Sequence, residues 1–168
     1  MALGWAEKSL SAFDDEFPYA VAFVALVHTT LRTVVYASAG HDVAFTLTDK
    51  GGIRHLQPTA SMLGISLAHH ACDAVFTLGW NETLVIATDG ISDSRPAGSL
   101  DFFGATRTAL AVTRSRSDGT DPALAVLEAA RAHEGAVQAD DDAVLVARLH
   151  RDHDRRSART VALSGRKR

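Results

Sequence analysis

Apolar positions fall into short runs along most of the chain and take up helical spacing only near its two ends. Residues 2–12 carry Ala2, Leu3, Trp5 and Leu10, with Phe13 beyond, as the stripe of an amphipathic helix that Asp14-Asp15-Glu16 interrupts. From Tyr19 to Val27 every residue is apolar, which predicts a strand buried on both faces. Further strands are predicted over Arg32–Ser38 and Val43–Thr48, and Asp49-Lys50-Gly51-Gly52 supplies hairpin-turn chemistry before Ile53–Leu56. Cys72–Leu78 and Thr83–Thr88 follow as two more strands, and this part reads as a β-meander. The pattern then changes. Leu100–Val112 is apolar at helical spacing, and Asp121-Pro122 is a helix start, with a capping acid followed by a proline in the first turn. Leu124, Leu127 and Ala130 repeat on one face until Gly135, and Ala143–Leu149 is a final buried strand. Strands first and helices second predict an α+β domain with helices laid across antiparallel sheet.

Composition narrows this picture. The chain has 168 residues, 46% hydrophobic and 22% charged, as expected of one globular domain with a real core. The Tyr19–Val27 run is too short to span a bilayer, and the N-terminus lacks the order of a signal peptide. A cytoplasmic location is the default expectation. The lone cysteine, Cys72, excludes an intrachain disulfide and a cysteine zinc cluster, and it reads as a small buried hydrophobe. Residues 151–168 hold seven basic side chains against two acidic ones, a balance of +5. With a net charge of −3 for the whole chain, residues 1–150 carry −8. An acidic body argues against nucleic acid as a partner, and the basic end reads as a solvated, disordered tail.

Two segments can carry chemistry. In Val85-Ile86-Ala87-Thr88-Asp89-Gly90 a hydrophobic strand ends in an acid, and a glycine frees the backbone to turn at once. That places a carboxylate at the lip of a sheet, which suits a hard divalent cation, although Asp-Gly after a strand more often marks only a turn. Asp140-Asp141-Asp142 stands directly before the last strand. Alone it reads as a solvated acidic loop. If the two strands are neighbours, Asp89 and Asp141 converge on one metal. Gly40-His41-Asp42 is a weaker candidate, and His69-His70 lacks a third ligand at regular spacing. No nucleophile elbow, Walker loop or dinucleotide fingerprint is present.

Taken in order, the segments resemble the SpoIIE-like (sporulation stage II protein E) branch of the metal-dependent protein phosphatases, the PPM family. Tyr36-Ala-Ser-Ala-Gly-His41 is similar to its strand-ending Ala-Gly-His, and Met62-Leu63-Gly64-Ile65 to its Pro-Leu-Gly-Ile. Leu78–Thr83 stands where the family has Leu-x-Pro-Gly-Asp, with Asn81-Glu82 in place of Gly-Asp. Thr88-Asp89-Gly90-Ile91-Ser92-Asp93-Ser94-Arg95 is similar to Thr-Asp-Gly-Val-Thr-Glu-Ala-Arg. Phe103-Gly104 matches Phe-Gly, and Asp141-Asp142-Ala143-Val144-Leu145-Val146 matches the closing Asp-Asp-x-Thr-Leu-Leu. No single match is specific; six in the right order over residues 10–150 are.

The resemblance implies a partial phosphatase domain over residues 1–150, built as layered antiparallel sheets flanked by helices. It implies Asp89 and Asp141 as ligands of Mn2+ or Mg2+, with Gly90, Asp142 and Asp93 beside the metal and Gly40 and His41 as possible lining. The implied reaction is hydrolysis of phosphoserine or phosphothreonine by metal-activated water, on a regulator such as an anti-sigma-factor antagonist in a partner-switching pathway. The family's earlier metal-binding segment, a Gly-Asp pair and an Asp-Gly, would precede residue 1. Its absence implies a thin metal shell and an exposed edge at Tyr19–Val27. Three readings follow: a fragment of an active phosphatase, an inactive phosphatase-like binding module, or a chain completed by another copy or another polypeptide.

Overall fold

The computed structural model describes residue 3 and residues 19–65, 72–134 and 141–150, and among residues 19–150 so described it forms seven strands and three helices. The expected helix over 2–12 (Leu3 apart), Asp14-Asp15, His69-His70, Gly135, Asp140 and the basic segment 151–168 lie outside the described residues. The elements are β1 (Ala22–His28), β2 (Thr33–Ala39), β3 (Ala44–Leu47), β4 (Ile53–His55), β5 (Ala74–Thr77) and β6 (Thr83–Ala87). They continue with α1 (Asp89–Ser92), α2 (Gly104–Asp118), α3 (Pro122–Glu134) and β7 (Val144–Arg148). No described helix is long and apolar enough to cross a membrane.

The fold is α+β with two antiparallel sheets, and the chain visits them in alternation. One unit comprises residues 1–42 and 56–79, the other 43–55 and 80–168. The expected meander is therefore replaced: β2 pairs with β5 across the intervening hairpin, and β3 pairs with β4 and β6.

The first unit holds the sheet β1-β2-β5. Leu26 faces Val35 and Phe23 faces Ser38 across the first ladder. Tyr36 is sandwiched between rings, stacked on Phe23 at 5.3 Å and edge-on to Phe76 at 6.0 Å. Ala37, Ala39 and Leu63 form a small core with Leu3. The expectation that Tyr19–Val27 is buried on both faces is overturned. Among the described strands β1 pairs with β2 alone, so it is an edge, and Leu26 is 72% exposed. Cys72 is likewise exposed rather than buried, because β5 begins only at Ala74 and leaves it outside the ladder.

The second unit holds the sheet β4-β3-β6-β7. The β3–β4 hairpin closes as anticipated, with the Thr48 N–H donating to Gly52 O at 2.9 Å and the Gly51 N–H to Thr48 O at 3.0 Å. Phe45, Leu47, Val85, Val144 and Val146 from the sheet pack with Ala109 and Val112 of α2 and Val126, Leu127 and Ala130 of α3. The first long helix starts later than the Leu100–Val112 spacing predicts. Leu100 is 86% exposed in the preceding loop, and α2 runs on to Gly119, whose φ of 69° ends it. α3 begins where the sequence places it: Asp121 Oδ1 accepts the Ala123 and Leu124 N–H groups at 2.9 and 3.2 Å.

Candidate functional site

β6 and β7 are antiparallel neighbours whose pairing runs from Thr83↔Arg148 to Ala87↔Val144. The end of β6 and the beginning of β7 thus share one edge of the sheet, and the two acidic segments named from sequence are brought together there. Beyond the last pair the Thr88 N–H donates to Ala143 O at 2.9 Å. The Thr88 hydroxyl lies 3.0 Å from Asp141 O and accepts the Ala143 N–H at 3.0 Å. Two residues further on, Gly90 faces the same loop: a Cβ built on it would stand 2.5 Å from Asp141 O and 3.2 Å from Asp142 Oδ1. Asp89 therefore sits between two residues that both touch the segment carrying Asp141.

The carboxylates differ in setting. Asp89 and Asp141 are exposed, whereas Asp142 is 5% exposed. Asp142 Oδ2 lies 3.7 Å from the Arg131 guanidinium of α3. Asp89 opens the single turn α1, accepts the Gly90 N–H on Oδ1 at 3.1 Å, and accepts the Asp93 N–H on its carbonyl at 2.7 Å. Fully buried Ile91 anchors that turn, and Asp93 is exposed at its end. No group of three or more His, Cys, Asp or Glu side chains among the described residues stands ready to hold an ion. The donors the chain offers here are two exposed carboxylates on a close-set pair of strand ends. Such hard oxygens fit Mg2+ or Mn2+, which commonly takes one or two carboxylates and completes its shell with water and phosphate oxygens.

Gly40 and His41 belong to the first unit. Gly40 has φ 65°, and a Cβ there would collide with the Met62 side chain, so the Ala-Gly-His and Met-Leu-Gly-Ile segments pack on one another. The His41 carbonyl accepts the Ser38 hydroxyl at 3.1 Å, its ring tilts on Phe23 at 5.9 Å, and its Nε2 is buried with no hydrogen-bond partner among the described residues. Two groups escaped the sequence reading: the Thr88 hydroxyl and Arg131. Thr88 adjoins Asp89, so its polarity at a strand end was a signal; nothing local to Arg131 marks its partner on β7's approach.

The fold has solved counterparts. The SiaA-PP2C domain of Pseudomonas aeruginosa superposes with a TM-score of 0.69 at 18% identity, covering 86% of this chain and 57% of that one. The RsbU and RsbW domains of a Mycobacterium tuberculosis protein give 0.66 at 21% identity, with 86% and 40% covered. The phosphatase domain of the cell-fate determinant SpoIIE from Bacillus subtilis, presoaked in Mn, gives 0.60 at 15% identity, with 90% and 66% covered. The chain spans less than two thirds of each of these, and at such identities the likeness establishes the fold. No curated protein matches the chain. The family model described as Stage II sporulation protein E matches residues 2–150, nearly the whole of the chain, and with the ordered motifs and the two-sheet fold it shows that this protein belongs to the SpoIIE family.

Proposed function

We propose that this chain carries part of the metal site of a protein serine/threonine phosphatase, with Asp89 and Asp141 each giving a carboxylate to Mn2+ or Mg2+. The observation that supports this best is the shared strand end. Two exposed acids flank a ladder whose terminal contacts, Thr88 and Gly90 against 141–143, draw the two backbones together. When bound, such a cation lowers the pKa of a coordinated water and offsets charge on phosphoryl oxygens. The chain's own residues do the positioning. Gly90 leaves room for the Asp141 carbonyl, Asp142 is turned into the protein toward Arg131, and Asp93 closes the turn that Asp89 opens, its N–H donating to the Asp89 carbonyl. The substrate class is a phosphoserine or phosphothreonine on a regulatory protein such as an anti-sigma-factor antagonist. Membership of the SpoIIE family and likeness to a chain of RsbU and RsbW domains support that assignment.

The test is a Mn2+ titration of the 168-residue chain followed by the paramagnetic resonance of free Mn2+, alongside phosphate release from a phosphoserine peptide. Asp89→Asn and Asp141→Asn should each weaken Mn2+ binding about tenfold or more, the loss of one charged ligand. Binding indifferent to both substitutions sinks the proposal. Binding that needs both acids upholds the metal site whether or not phosphate is released, since a chain that carries only part of that site need not complete the hydrolysis.

A further inference from the structure

We infer that the Thr88 hydroxyl is the positioning group that sets Asp141 against Asp89, an inference that rests on the metal-site reading above. The β6–β7 ladder reaches its last strand pair at Ala87↔Val144, and the Thr88 N–H then bonds Ala143 O at 2.9 Å. At that point α1 begins and carries the chain out of strand geometry. Backbone polar groups are costly to leave unpaired, and the Ala143 N–H and the Asp141 carbonyl both meet the Thr88 hydroxyl. One hydroxyl serves both. Thr88 Oγ1 accepts from the Ala143 N–H at 3.0 Å and reaches Asp141 O at 3.0 Å, closer than Ala143 O at 3.3 Å. A hydroxyl has one proton to give and two lone pairs to receive with, so the accepting bond and a donating bond to Asp141 form together. Thr88 thereby grips the backbone on both sides of Asp142, and its own neighbour in sequence is Asp89. The residue that fixes the approach of one candidate ligand is covalently next to the other.

A purely structural hydroxyl would add stability and nothing more. A positioning hydroxyl must also change how well the two carboxylates act together. Valine has the shape of threonine without the oxygen, and serine keeps the oxygen without the methyl, so the pair separates the two effects. In the metal-free chain, exchange of the Ala143 amide should accelerate about tenfold in Thr88→Val and stay near wild type in Thr88→Ser, the scale of one lost hydrogen bond. Mn2+ affinity should fall about tenfold in Thr88→Val, about 1.4 kcal/mol, and recover in Thr88→Ser. Faster exchange with unaltered Mn2+ affinity overturns the inference, and so does an unprotected Ala143 amide in the wild-type chain, a measurement that stands even if the valine variant does not fold. Wild-type Mn2+ binding that ignores Asp89 and Asp141 instead removes the metal reading, while the exchange result still reports whether the clasp exists.

Discussion

A Cβ on Gly90 would stand 2.5 Å from the carbonyl oxygen of Asp141, so the turn after β6 and the loop before β7 touch backbone to backbone. The obstacle is main chain on one side and the buried Asp142 carboxylate on the other, neither of which can swing aside like the tip of a long side chain. Gly90→Ala should therefore cost about 1–3 kcal/mol, the usual penalty of overpacking, read as a lower denaturation midpoint with an unchanged slope. Mn2+ affinity should fall with it, since the displaced backbone carries Asp141.

Asn81 adopts φ 61°, in the turn where the SpoIIE-like pattern has glycine. Its N–H donates to Leu149 O at 2.9 Å and its carbonyl accepts from Arg148 Nε at 3.1 Å, so the left-handed geometry is tied to the end of β7. Asparagine tolerates this region better than other side chains, which is why the departure from glycine leaves the turn intact. Asn81→Gly should shift the melting temperature little, whereas Asn81→Val should lose about 1–2 kcal/mol.

Glu82 replaces the aspartate of the same pattern and reaches inward. It accepts the hydroxyl proton of fully buried Thr46, and Arg54 lies 2.9 Å from the same carboxylate oxygen. Arg54 is 47% exposed and Glu82 11%, so the ion pair itself adds little and the contact with buried Thr46 dominates. Glu82→Ala should destabilise by about 1–3 kcal/mol by taking the acceptor from that hydroxyl proton, with only the Arg54 Nε–H left to bond the Thr46 oxygen. In the Thr46→Val background the same change should cost distinctly less, and additive losses in the double-mutant cycle would refute the coupling.

At the opposite end of the β6–β7 pair, Asp49 Oδ1 serves two guanidiniums, Arg116 at 3.3 Å and Arg148 at 2.8 Å. Burial first, and then the Arg148 charge, lower the Arg116 pKa, and Asp49 partly restores it. The folded chain holds this proton less tightly than the unfolded one, so the cost is fully present at neutral pH and eases only in strongly alkaline solution. Asp49→Asn removes the restoring charge and leaves the two cations facing each other. The loss, about 1 kcal/mol for partly exposed charges, should shrink in 1 M salt, where screening acts within about 3 Å.

How far these features could be read in advance depends on their range. The hairpin at 49–52, the Asp121 cap and the two acidic strand ends are local patterns, and each stands where the residues place it. The adjacency of β6 and β7 was conditional in the sequence, since alternation and turn chemistry do not name a strand's neighbour. The pairing of β2 with β5 was invisible because the intervening hairpin belongs to the other unit. The Tyr19–Val27 run misled for a related reason: apolarity on both faces of a strand implies a covering layer but does not say which part of a protein supplies it. Thr88 stands out in the sequence only as part of a motif, because a hydroxyl's partners are set by tertiary structure.

β1 makes the last prediction. It lies at the edge of its sheet, pairing among the described strands with β2 alone, and Val24, Leu26 and Val27 are exposed along it. An edge presents a row of backbone donors and acceptors, and apolar side chains beside them make pairing with a second copy favourable. Residues 19–28 contain no proline and no lysine, the residues that commonly guard such an edge. The 168-residue chain should therefore self-associate as its concentration rises through tens of micromolar, seen as a growing weight-average mass in sedimentation. Leu26→Lys should suppress this without unfolding the domain, because Leu26 is already 72% exposed and its loss opens no cavity. Lysine at Phe23 would not be a fair control, since that ring stacks on Tyr36. A wild-type chain that sediments as one species across that range, or a Leu26→Lys variant that associates as strongly, would show that the β1 edge is not the surface through which copies meet.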